Sequence, residues 1–395
     1  MELTLSQQNA MNAVKAFLNS DKKSMLIHGM AGTGKSVILT EIFKHLNGKC
    51  DVATPTHAAA NVLKEKGIAK AGTIHNVFGL IPRTNIKGEV SYKLPAVPVD
   101  MHSVVLLDEA SMINSETLQL VFAYQKRFPR IKFIFLGDMY QLAPVGEYEI
   151  PVLKYIEEEC ELTEFVRNSD PIVQSLLIHL RDCVKKNISP RFQAAGNIRI
   201  IKQETLKAEI NAKHQLEVYS PSQDIILAFR NNTVTSWINT IQEITNKPKL
   251  LEEGDVLTFN EYTPVFSNGQ QIHSFPNNSV VQIHSVENIA DGVQKVVAHG
   301  VNLFVYQNYN QYRKAKNQEK ETRTATEING YTGSAADLRR TGAFTVHKSQ
   351  GITCRSVYVL LNDLKVMSRA ISQQDYLRAL YVAASRASGQ VIFVI

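Results

Sequence analysis

Two groups of residues have the types and spacing for phosphate chemistry. Gly29-Met30-Ala31-Gly32-Thr33-Gly34-Lys35-Ser36 fits the pattern G-x-x-x-x-G-K-[ST]. In such a loop the glycines let backbone N–H groups turn inward around phosphate oxygens, and the helix that follows adds a favourable dipole. Lys35 would bring charge to the β- and γ-phosphates, and the Ser36 hydroxyl would ligate Mg²⁺. The second group is Asp108-Glu109, delivered by the apolar run Val104-Val105-Leu106-Leu107. Asp108 would hold the metal and Glu109 would orient and activate an attacking water. A strand ending in Asp-Glu is by itself often a solvated turn. Together with the loop it points to nucleoside-triphosphate hydrolysis or phosphoryl transfer.

The surrounding pattern is what such a site needs. Over the first 165 residues, short apolar strands alternate with helical periodicity, as in a mostly parallel sheet covered by helices. Met25–Gly29 is a strand running into the loop, and Val37, Ile38, Ile42, Phe43 and Leu46 recur at helical spacing behind it. Asp51–Thr54, Val104–Leu107 and Phe133–Leu136 supply further strands. In doubly wound sheets ligands bind at the carboxyl ends of such strands. Residues 79–98, framed by three prolines, break the rhythm as a small hairpin insertion turning near Asn85–Gly88. A helix-rich stretch runs from Pro171 to about Asn187. Residues 250–309 hold several strand-like runs and no long helix, a small all-β insert, and 310–323 is a polar helix or linker. Strand-helix-strand rhythm returns from Gly342 to the end.

Composition bounds the rest. The chain has 395 residues, 44% hydrophobic and 20% charged, which excludes a disordered or collagenous chain and predicts two or three domains. Its four cysteines lie far apart, which excludes a disulfide scaffold and fits a reducing cytosol. The start lacks a signal-peptide layout, and no apolar run reaches ~20 residues, so no membrane span is expected. The net charge of +6 is unevenly placed. Residues 301–395 hold 13 basic and 6 acidic side chains, leaving 30 basic and 31 acidic in the first 300.

Nucleotide motifs alone do not separate a small-molecule kinase from a motor; further segments do. In order along the chain come Gln7-x-x-Ala10, the loop Gly29–Ser36, Thr54-Pro55-Thr56-His57-Ala58-Ala59, Thr73-Ile74-His75 and Asp108-Glu109-Ala110-Ser111-Met112. Gly137-Asp138-Met139-Tyr140-Gln141-Leu142-Ala143-Pro144-Val145, Leu162-Thr163-Glu164-Phe165-Val166-Arg167, Thr345-Val346-His347-Lys348-Ser349-Gln350-Gly351 and Leu380-Tyr381-Val382-Ala383-Ala384-Ser385-Arg386-Ala387 follow. This series resembles superfamily 1B DNA helicases of the RecD/Dda-like group and spans nearly the whole chain. The resemblance implies an α/β fold with two RecA-like P-loop core domains, a β-hairpin pin and a small SH3-like β-rich insertion. It implies a first core of 1–78 and 99–167, a pin at 79–98, a second core of 168–245 and 335–395, and the SH3-like insertion at 246–334. It also implies ATP with Mg²⁺, 5′-to-3′ translocation on single-stranded DNA, duplex unwinding at a fork and function as a monomer. A bacterial or phage-infected cytoplasm and contacts to replication, recombination or repair proteins fit the same analogy.

Residue by residue, the resemblance places Gly29, Ala31, Gly32, Thr33, Gly34, Lys35, Ser36 and Gly351 at the nucleotide. Gln141, Arg167 and Arg386 would sense the γ-phosphate. Gln7 would read the adenine edge, or is an ordinary surface glutamine. Thr56, His57, Thr73, His75, Thr345, His347 and Lys348 would face single-stranded DNA, holding phosphates without reading sequence. Phe78 is a stacking aromatic or a core phenylalanine. Tyr92, the aromatic of the pin, meets the fork or packs beneath its hairpin. Two other readings stay open: a translocase that strips proteins and unwinds poorly, and a P-loop switch or kinase that binds no DNA. The surplus of late cations predicts a narrow electrostatic track along the second core and its insert.

Overall fold

The computed structural model describes residues 3–84, 90–166, 170–267, 269–277 and 279–395. The chain divides into two compact units, one of residues 1–192 with 367–388 and the other of 193–366 with 389–395.

The first unit is built on a six-stranded sheet in the order Gly72–Thr73, Asp51–Thr54, Val104–Leu107, Lys132–Gly137, Ser24–Gly29, Glu158–Leu162. Every neighbouring pair in it is parallel. Alternation along each strand assigns its two faces. Met25, Ile27, Val104, Leu106, Ile134 and Leu136 enter one core with the helices Leu5–Leu18 and Lys35–His45. Leu26, Val105, Leu107, Phe133 and Phe135 enter another with the helix Ser115–Arg127. Burial on both faces explains why these strands read as unbroken apolar runs. Parallel pairing brings their carboxyl ends to one edge: Gly29, Leu107 and Gly137 finish side by side, with the strand ending at Gly137 between the other two.

The proline-framed insertion forms a two-stranded antiparallel ribbon, Ile81–Thr84 against Val90–Lys93, in which Pro82 faces Tyr92. The expected turn near Asn85–Gly88 lies outside the described residues, except for its flanks.

The second unit has a five-stranded sheet in the order Ala343–Thr345, Asp224–Ala228, Cys354–Leu360, Ala387–Val394, Ile198–Ile201. Two buried acids organise it. Asp224 takes Lys213 and Arg355, at 3.2 and 2.7 Å. Asp363 accepts from Arg230 Nε, Thr233 Oγ1 and the N–H groups of Phe229 and Arg230, at 2.6 to 3.0 Å. The β-rich insert folds as a three-stranded sheet around Val256–Phe259, a hairpin of Thr263–Ser267 with Gln270–Phe275, and a five-stranded sheet over Ser285–Ala336. Phe259 and Phe275 stack at 4.4 Å inside it. The polar stretch 310–323 is the helix Tyr309–Thr322, set between Val301–Tyr306 and the last two strands of that five-stranded sheet.

The units cut the chain differently from the expected cores. The helices Pro171–Lys186 and Gln373–Ala384, expected in the second core, group with the first unit. Their apolar residues explain this: Val173, Leu176, Leu177 and Leu180 on one, and Tyr376, Leu377, Leu380 and Tyr381 on the other, are all buried.

Candidate nucleotide site and nucleic-acid residues

The phosphate loop is shaped by its own residues. Gly32 and Gly34 take φ of +89° and +84°, the left-handed region where a side chain is strained. A Cβ at Gly34 would also lie 2.3 Å from Gln7 Nε2, and one at Gly29 would lie 2.7 Å from Thr33 Oγ1. Thr33 is buried and closes the loop, donating from N–H and Oγ1 to the Met30 carbonyl at 3.3 and 2.9 Å. The helix Lys35–His45 begins at Gly34 with no side-chain cap, so its N-terminus suits an anion. Lys35 Nζ reaches back across the loop to the carbonyls of Gly29 and Met30, at 2.8 and 2.9 Å. Ala31 and Ser36 are half-buried on the same loop.

Gln7 is no ordinary surface glutamine; it is 2% exposed. Its Oε1 completes a capping box with the Thr4 N–H at 3.0 Å, and its Nε2 donates to the Thr33 carbonyl at 3.3 Å. One donor and one acceptor position of the amide remain for a ligand. Val166 N–H donates to the Gly32 carbonyl at 2.8 Å, so the segment leading to Arg167 is tied to the loop. Arg167 itself lies outside the described residues.

Asp108 and Glu109 stand at the end of Val104–Leu107. Asp108 is buried, and its Oδ1 accepts the Glu109 N–H at 2.9 Å. Burial, then the Glu109 charge, push its carboxyl up to about 7, against the pull of Lys35 and Lys66. Glu109 is half-buried with φ of +50°, a conformation that bulky residues adopt only where the surroundings impose it. The hydroxyl of Ser36 and the carboxylate of Asp108 are hard oxygen donors beside the loop, a donor set that suits Mg²⁺. Gln141 is 5% exposed, in the turn after the strand Lys132–Gly137, which lies between the strands that lead to the phosphate loop and to the acid pair.

Arg386 is buried just beyond the helix Gln373–Ala384, its guanidinium on the Val382 carbonyl and Ser385 Oγ. It therefore groups with Lys35 and Asp108, rather than with the opposite core as expected. Gly351 lies in the second unit, exposed, with φ of +84°.

The nucleic-acid candidates divide. Thr56 and Thr73 are helix N-caps, accepting the N–H groups of Ala59 and Asn76 at 3.2 and 3.3 Å. His57 and His75 are half-buried, and burial lowers the pKa of both. Tyr92 does not project from the ribbon: it is half-buried, its ring 4.1 Å from that of His75. Phe78 corrects the expectation of a stacking aromatic. It is 0% exposed and makes edge contacts with Tyr124 and Phe133, so no base can reach it. In the second unit Thr345 is buried and accepts the Lys348 N–H at 3.3 Å, and His347 is half-buried. Lys348 Nζ bonds to Asn260 of the insert, in a cleft that Arg339 and Thr258 also line. Asn260 and Arg339 were not singled out from the sequence, because the insert carries no motif.

A phosphate loop, an acid pair and a glutamine turn on adjacent parallel strands have the arrangement of a P-loop NTPase core. The chain belongs to the AAA domain family, which matches residues 3–203. It is similar to the uncharacterized protein R530 of Acanthamoeba polyphaga mimivirus, 23% identical over 98% of this chain and 99% of that protein. The ATP-dependent DNA helicase Dda of Enterobacteria phage T4 is 31% identical over 44% of this chain and 41% of that protein. Among solved structures, Pif1 helicase from Bacteroides in complex with ADP-AlF3 and ssDNA has a TM-score of 0.52 at 19% identity, covering 100% of this chain and 92% of that one. The likeness to Pif1 is one of fold, and the match to Dda covers less than half of either chain. No helix among the described residues is long and apolar enough to cross a membrane.

Proposed function

We propose that this chain is an ATP-dependent DNA helicase that translocates 5′ to 3′ on single-stranded DNA and unwinds duplex ahead of it. The observation that carries the reading is the strand order in the first unit. The strand ending at Gly137 lies between the one ending in the phosphate loop and the one ending at Asp108. That order supports Gln141, in the turn after Gly137, as the residue that would sense the γ-phosphate between the groups that would grip the phosphates and activate water.

Gly29–Ser36 would cradle ATP, with Lys35 leaving the loop carbonyls for the phosphates. Ser36 and Asp108 would hold Mg²⁺, which supplies charge neutralisation at the β- and γ-oxygens. Glu109 would take the proton of the attacking water, Gln141 would orient that water, and Arg386 and Arg167 would stabilise developing charge. Gln7 would use its remaining amide positions at the adenine edge. In the first unit Thr56, His57, Thr73 and His75 would hold single-stranded DNA, and in the second Thr345, His347 and Lys348 would. The ribbon 81–93 would serve as the pin, with Tyr92 bracing it on His75. The alikeness to Dda and Pif1, named respectively as an ATP-dependent DNA helicase and as bound to ssDNA, supports DNA over a small-molecule acceptor.

The test is ATP hydrolysis with and without single-stranded oligonucleotide. The reading expects stimulation of tenfold or more, abolished by Lys35→Ala. Hydrolysis indifferent to DNA would instead favour a P-loop switch or kinase.

A further inference from the structure

The helix Gln373–Ala384 buries Tyr381 completely. Its hydroxyl donates to Asp138 Oδ2 at 2.6 Å and accepts the Ala31 N–H at 3.4 Å. The first distance is that of a strong charge-assisted bond; the second is at the outer limit for an N–H donor. The hydroxyl is therefore anchored on Asp138 and only rests against the phosphate loop. Burial and the Asp138 charge raise the Tyr381 pKa well above its ordinary value, so the proton it donates stays in place.

Asp138 has a second task. Its Oδ1 accepts the Tyr140 N–H at 3.1 Å and its carbonyl accepts the Gln141 N–H at 3.2 Å. It shapes the turn that carries Gln141. One hydroxyl thus joins three things: the third residue of the phosphate loop, the glutamine turn, and the helix that leads to Arg386.

We infer that Tyr381 is a positioning residue of the ATP site, whose hydroxyl locks the Asp138–Gln141 turn in place and gives up the Ala31 N–H to a phosphate oxygen when nucleotide binds. The inference rests on the reading of Gly29–Ser36 as the ATP site. A charged phosphate oxygen outcompetes a neutral hydroxyl held at 3.4 Å. The bond to Asp138 involves no group that nucleotide would claim, so it persists. Occupancy of the loop is felt at Tyr381, one and a half turns before Arg386, without any other group having to move.

Tyr381→Phe keeps the ring and removes the hydroxyl. In the full chain it is expected to lower kcat about tenfold with KM for ATP within about twofold, because Gln141 is misplaced while the loop still binds. Asp138→Ala should lower kcat similarly, and the double variant should be no worse than Asp138→Ala alone. Asp138→Asn, which retains an acceptor, should lose less than Asp138→Ala. Deuterium exchange gives a readout independent of turnover. Peptides covering Gly29–Gly34 should exchange faster in nucleotide-free Tyr381→Phe than in wild type, and alike once ADP is bound. A wild type that fails to hydrolyse ATP would count against the proposed function, and the exchange comparison would still decide the Tyr381 contact. Wild-type kcat with unchanged exchange in Tyr381→Phe would overturn the inference, as would losses that multiply in the double variant. Equal losses in Asp138→Asn and Asp138→Ala would overturn it too, and keep the test valid should Tyr381→Phe fold poorly.

Discussion

At the scale of single residues, burial decides what a side chain can do. Lys35 is held across the loop by two carbonyls, which under the proposed function it would exchange for phosphate. Phe78 lies three residues beyond His75, in a segment expected to face DNA, yet it is wholly enclosed by aromatic neighbours. Replacing it with alanine is expected to destabilise the first unit by roughly 3–5 kcal/mol, the usual cost of a phenylalanine-sized cavity. His75→Ala should weaken single-strand binding with little change in thermal stability. Calorimetry alongside fluorescence anisotropy checks both. A stable Phe78→Ala that binds DNA poorly would restore the stacking role. The phosphate loop and acid pair were legible because their chemistry demands fixed residue types at fixed spacing. Phe78 was not, because a short apolar helix has the same spelling whether it faces a core or a ligand. Tyr381 was visible only as part of a motif, since nothing in a sequence says which carboxylate a tyrosine will meet.

Among elements, the buried parallel strands were the easiest to read: Asp51–Thr54 and Val104–Leu107 have the bounds expected from the sequence. Two-sided burial makes such strands continuous apolar runs. Strands exposed on both faces, such as Gln270–Phe275 with four exposed residues in succession, carry no such signal and were missed. The helix Tyr309–Thr322 is the instructive case. It reads as solvated, yet Lys316 is 0% exposed, donating to the Ala335 carbonyl, and Glu319 beside it accepts Thr326 Oγ1 and the Ala335 N–H. Burial pulls the Lys316 ammonium down to about 8 from 10.5. Between those values the unfolded chain holds more protons than the folded one, so this group makes the protein more stable as pH rises. The full gain by pH 10 is on the order of 2 kcal/mol. Chemical denaturation at pH 7 and pH 10 should therefore show a rise in wild type relative to Lys316→Met. Parallel pH dependences would show that Lys316 titrates normally.

For the whole molecule, the charge count needed the structure to be interpreted. The surplus lies in residues 301–395, where 13 basic residues face 6 acidic ones. Several of those cations are committed within the chain: Lys316 is buried, Arg340 holds Asp255, Arg355 holds Asp224, and Arg386 is enclosed. What remains beside the expected DNA path in the second unit is small, centred on Lys348, with the half-exposed Arg339 next to it already paired to Asp337 at 3.3 Å. A single strand held by about three phosphate contacts should show a shallow slope of log K against log salt, about −2. A slope as steep as −6 would mean a basic surface far larger than these two residues. A weak electrostatic grip suits a motor that must release DNA at every step.

The most direct measurement of the central claim is unwinding of a short duplex bearing either a 5′ or a 3′ single-stranded tail, with ATP and Mg²⁺. The account predicts displacement from the 5′-tailed substrate alone, lost in Lys35→Ala and Glu109→Gln, the latter still binding nucleotide. Displacement from the 3′-tailed substrate alone would contradict the proposed direction. No displacement from either, with DNA-stimulated hydrolysis intact, would leave a translocase and contradict the helicase.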